Sequence, residues 1–198
     1  GPVSFGGKTV TTSGAGRVTL SSGYTLSRGA LNVGNDLFVI QGGTSRVTNL
    51  SSDLNLVVTS GRLRFQANSG AGNLSLVSAA PATVNAGSLE LLQNNATNLV
   101  GQSGNITLNE SSKLVFLTNS GGPISASGPV AINGSTTLRN TGAGVPVAGT
   151  LISGNLTGAG TITYQNEGTG ANARVNLTGN NSGYTGTFNL SGASGNRT

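Results

Sequence analysis

The chain has no cysteine, no histidine, no methionine and no tryptophan among its 198 residues, and only 8% of them are charged. Each absence closes off a class of chemistry. Without thiol or imidazole there is no disulfide framework and no zinc site of the usual kind. A Ser-His-Asp or Cys-His relay cannot be built. Nothing approaches the ~20 apolar residues of a membrane-spanning helix. Residues 1–10 have neither the basic start nor the apolar stretch of a signal peptide. No cofactor, metal or catalytic residue is assigned.

What is present is small and polar. Glycine occurs 33 times, and Gly, Ser, Thr and Asn together fill more than half of the positions. Such a composition borders on that of a disordered chain, but 35% of residues are hydrophobic and they are arranged. Aliphatic-x-aliphatic units recur: Val18-Thr19-Leu20, Leu31-Asn32-Val33, Leu54-Asn55-Leu56, Leu63-Arg64-Phe65, Leu74-Ser75-Leu76 and Leu89-Glu90-Leu91. The series continues with Ile106-Thr107-Leu108, Leu114-Val115-Phe116, Val130-Ala131-Ile132, Ile162-Thr163-Tyr164, Val175-Asn176-Leu177 and Phe188-Asn189-Leu190. A period of two marks a strand with one buried face. Gly-rich breaks at 13–16, 69–72, 120–123 and 142–144 separate the units. No stretch has apolar residues at helical spacing, so helix content is expected to be close to zero.

About eighteen such clusters are too many for one sandwich, and no linker divides the chain into two. The Asn-Gly pair that favours tight hairpins occurs once, at Asn133-Gly134. Short strands with small outward residues, and aromatics at only 4%, suit coils stacked on one another. The fold expected is all-β, a parallel β-helix. At roughly 20 residues per coil it would have about nine or ten coils forming one unit over 1–198.

Residues 154–198 carry the clearest repeat-like pattern. Gly154-Asn155-Leu156-Thr157-Gly158-Ala159-Gly160-Thr161-Ile162 leads to Val175-Asn176-Leu177-Thr178-Gly179-Asn180-Asn181, then Ser182-Gly183-Tyr184-Thr185-Gly186-Thr187-Phe188. This resembles the autotransporter-associated β-strand repeat, Gly183 being one residue more than the pattern has before its tyrosine. The resemblance implies a right-handed β-helix from the passenger region of a large bacterial surface protein. It places the chain outside the cell, on an outer membrane reached through an anchor elsewhere. A passenger without cysteine stays unfolded until export, which fits. In the motif Leu177 and Phe188 are expected to point inward and Asn180-Asn181 to turn the chain, either as turn formers alone or with their amides also stacking on neighbouring coils. Gly1-Pro2 is what a protease-cleaved tag leaves, so a segment of a longer protein is expected.

Ten Lys and Arg face five Asp and Glu, giving a net charge of +5. The bases are scattered and stacking aromatics are few, so nucleic acid is not expected as a partner. Several bases stand just before an inward aliphatic: Arg17, Arg46, Arg62, Lys113 and Arg174. With Arg64 they would form an outward basic stripe if the coils share a register, able to contact an acidic or sulfated glycan. The plainer reading is a solubilising face that also discourages edge pairing. A surface protein, the flanking coils and self-association are the other partners considered.

Glycoside chemistry needs two acids a few ångströms apart. The closest in sequence are Asp36 with Asp53 and Glu90 with Glu110, separations near one coil. The Asn-x-Ser/Thr sequons beginning at Asn49, Asn73, Asn105, Asn155 and Asn176 are what this composition produces by chance. The function expected is a structural and adhesive stalk segment, not an enzyme. The alternatives are a polysaccharide lyase or hydrolase on the same fold and, more remotely, a fibre or S-layer segment.

Overall fold

In the computed structural model, residues 2–20, 25–42, 49–67, 75–94, 99–118, 124–141, 150–167 and 175–192 are described. They contain twenty-four strands and no helix. Every strand pairs in parallel with the strand about one coil away in sequence, and the strands fall into three sheets of eight. The first sheet begins with Pro2–Ser4, the second with Thr9–Thr12 and the third with Arg17–Leu20. A coil therefore runs first sheet, second sheet, third sheet, then steps up by one strand spacing, ~4.8 Å. This is a parallel β-solenoid.

Eight strands per sheet means fewer coils than the nine or ten expected. The difference lies in the length of a turn of the solenoid. Ile106 pairs with Val130 and Val130 with Leu156, so a coil in the middle of the chain takes 24 to 26 residues, because three strands and three corners must fit into it; the first is shorter, Arg17 pairing with Leu37. The aliphatic units all fall on strands, although Leu74 lies outside the described residues, as do the breaks at 69–72, 120–123 and 142–144.

Alternation determines which side chains meet. In the third sheet, Phe38, Leu63, Leu89, Leu114 and Leu138 form one column in register. Ile40, Phe65, Leu91 and Phe116 form the next. All are buried. The third sheet has the longest strands, seven residues at Gly87–Gln93 and Ser112–Thr118. Four of the five phenylalanines sit on it, which is how so few aromatics fill the core. At the last coil the columns are uncovered: Phe188 is 39% and Leu190 75% exposed although Ile162 beneath is buried. Phe188 thus occupies the inward position expected of it, and Leu177 is partly buried against the core.

Glycine makes the corners. Between the first and second sheets Gly104, Gly128, Gly154 and Gly179 stack, and a Cβ on any of them would strike a backbone carbonyl of the coil below. Coils can lie one strand spacing apart here only where no side chain intervenes. Asn133-Gly134 belongs to the corner between the second and third sheets, not to a hairpin. There Asn109 Nδ2 donates to Asn85 Oδ1 at 2.8 Å and Asn133 Nδ2 to Asn109 Oδ1 at 3.0 Å. Amide stacking thus occurs at this corner. Asn155 and Asn181 use their side-chain oxygens on backbone N–H groups, Asn180 N at 2.9 Å and Leu156 N at 3.1 Å.

Candidate functional site

Charge is distributed unevenly over the three sheets. Among the described residues, every charged side chain that lies within a strand lies in the third sheet: Arg17, Arg62, Arg64, Glu90, Lys113 and Arg139. The strands of the other two sheets carry only uncharged residues. The cause is local. Period-two alternation in these strands puts the residues flanking each core aliphatic on the outer face.

Register divides the charges into two columns. Arg17, Leu37, Arg62, Ser88, Lys113 and Thr137 follow one another from coil to coil. Beside them run Thr19, Val39, Arg64, Glu90, Val115 and Arg139. The stripe read from the sequence is therefore brought together at Arg17, Arg62, Arg64 and Lys113. Arg46 and Arg174 lie outside the described residues. Arg139 was not anticipated, because it follows its core aliphatic, Leu138, where the others precede theirs. Its position two after Thr137 in an alternating strand is the signal that marks it as outward.

The two columns differ in how their charges are used. In the second, Arg64 Nη2 lies 2.7 Å from Glu90 Oε2, and Glu90 is buried and also accepts from Ser88 Oγ at 3.0 Å. Arg139 pairs with Glu167. In the first column Arg17, Arg62 and Lys113 are exposed. Arg62 Nε donates to the Asp36 carbonyl at 3.1 Å and Arg17 Nε to Thr19 Oγ1 at 3.1 Å. Neither arginine forms an ion pair, nor does Lys113, among the described residues.

The acids are dispersed. Asp36 and Asp53 stand at opposite ends of the second sheet, before the strands Leu37–Gly42 and Leu54–Val58. Glu90 lies within Gly87–Gln93, whereas Glu110 precedes Ser112–Thr118, whose Val115 is the residue in register with Glu90. Neither pair stacks, because Glu90 is in register with Val115 rather than Glu110 and the two aspartates sit in different corners of the coil. Each carboxylate has a partner instead. Asp36 accepts from Gly16 N at 3.1 Å and Glu110 from Ser135 N at 2.8 Å. Asp53 is held below the usual carboxylate range by a hydrogen bond from the Ser51 side chain and then by one from the Arg28 amide.

Two tyrosines are raised above their ordinary value. For Tyr164, burial is the main cause, and the neighbouring Asn140 amide opposes it without making a well-formed bond. Tyr184 is raised chiefly by burial too. Its single hydroxyl proton faces two carbonyls, Gly160 at 2.9 Å and Thr187 at 2.7 Å, so this motif tyrosine braces a corner. No group of three or more potential metal ligands occurs among the described residues. Compared with protein-family models, with curated proteins and with solved structures, the chain matches none of them.

Proposed function

We propose that this chain is a segment of the β-helical stalk of a secreted bacterial surface protein of the autotransporter type, serving surface display and cell contact. The observation that supports it most is the way the polar groups are spent. All five acids serve a backbone amide or an arginine, while the described strands form a continuous stack of three sheets. A solenoid gains stability coil by coil through nearest-neighbour contacts. It can therefore hold a surface far from its anchor without a large core. The likeness of residues 154–188 to the autotransporter repeat supports the same reading.

The test is display. A non-adherent bacterium carrying the chain between an export signal and an outer-membrane anchor should expose it to antibody on intact cells and gain adhesion to a cell layer. A panel of polysaccharides incubated with the purified chain should release no reducing ends or unsaturated sugars. Export without any gain in adhesion, or measurable turnover, would replace this reading.

A further inference from the structure

We infer that the outer face of the third sheet binds a linear acidic polysaccharide laid along the solenoid axis, through Arg17, Arg62 and Lys113. This deepens the adhesive reading and rests on it. The three cations share one register column and occur on every second coil, with Leu37 and Ser88 on the coils between. Their backbone interval is two strand spacings, ~10 Å. All three are exposed, and none is neutralised by a described acid. The acids at the adjoining corner, Asp36 and Glu110, are turned to backbone amides of Gly16 and Ser135.

The arginines are also held. Each uses Nε for a hydrogen bond within the protein, which leaves the two Nη groups as the outward fork that matches a carboxylate or sulfate. The neighbouring column adds no free charge, since Arg64 and Arg139 are paired with Glu90 and Glu167. Within the described strands, free positive charge is thus a line one residue wide, parallel to the axis, and the strands of the other two sheets offer no competing charge.

The interval selects the polymer. One pyranose in an extended β-linked chain spans about one coil of the solenoid. A polysaccharide charged on alternate sugars therefore presents its anions at the interval of the cations. The phosphates of a nucleic-acid duplex recur every ~3.4 Å along each strand, so most would meet no cation here.

The experiment uses the whole chain and hyaluronan decasaccharide, which carries one carboxylate on every second sugar. Binding is measured by calorimetry between 50 and 200 mM salt, against the same oligosaccharide with its carboxyls reduced and against duplex DNA. The wild-type chain should bind the acidic form, and its affinity should fall as salt rises, because exposed ion pairs are screened. The carboxyl-reduced form should not bind. Replacing Arg17, Arg62 and Lys113 by Ser together should abolish binding, and each single replacement should weaken it a few-fold. Substituting Lys8 and Arg28 by Ser should leave it unchanged. The variants remove exposed side chains, so thermal melts should coincide with wild type, and the single variants give a readout should the triple variant melt early. Equal binding by the triple variant, equal binding of the reduced oligosaccharide, or tighter binding of DNA would overturn the inference. Failure here with displayed cells still adherent removes the polysaccharide and leaves the adhesive stalk. Loss of both removes the parent reading.

Discussion

Gly154 shows how little room a corner leaves. A methyl group there would fall on the Gly128 carbonyl, which is fixed by its own coil. Gly154→Ala should destabilise the chain by about 1–3 kcal/mol, the usual cost of overpacking. At Gly42 the nearest atoms stand at ordinary contact distance, 3.8 and 3.9 Å. Gly42→Ala should therefore melt close to wild type, and paired urea titrations would separate the two. The same contrast holds for large residues. Phe116 is fully buried, whereas Leu190 is 75% exposed. Phe116→Ala should cost about 3–5 kcal/mol and Leu190→Ala far less. Equal losses would mean that the last coil is covered in solution.

Among the strands, the third sheet differs from the other two in length, aromatic content and charge. Its alternation was readable: Leu63-Arg64-Phe65 and Leu89-Glu90-Leu91 already place Arg64 and Glu90 on the outer face. Their pairing was not readable, because it depends on a register that joins residues 26 apart. Glu90 is buried, so removing Arg64 strands a charge away from water. Arg64→Ala should destabilise by about 2–3 kcal/mol, somewhat under the fully buried case because Arg64 itself is partly exposed. Adding Glu90→Leu should restore most of that loss. A double variant no better than Arg64→Ala would show that the arginine acts through packing alone.

For the whole molecule, the missing histidines and cysteines shape the response to pH. No side chain has an ordinary pKa between about 5 and 9, so the melting temperature should be flat across that range. Asp53 has a lowered pKa in the fold. Its contribution is complete above the unfolded value and is lost as pH falls through the folded one. Tyr164 has a raised pKa, so its contribution is complete below the unfolded value of about 10 and is lost as pH rises further. Thermal melts from pH 3 to 11 should give a plateau with two shoulders. Asp53→Asn should flatten the acid shoulder, and Tyr164→Phe should reduce the alkaline one to the share that Tyr184 contributes. A slope at neutral pH would contradict this assignment.

Composition and period were enough to establish the β-class, the parallel stacking and the residues that face inward, because alternation is a property of each strand alone. The coil length, the amide ladder at Asn85, Asn109 and Asn133, the separation of the acid pairs and the split of the basic residues into a paired and an unpaired column came only from the tertiary structure. All of these depend on which residues lie above one another. That follows from the lengths of the corners, and corner lengths leave no periodic trace in the sequence. The line of Arg17, Arg62 and Lys113 illustrates both halves. Alternation made each residue outward, and register alone put them in one column.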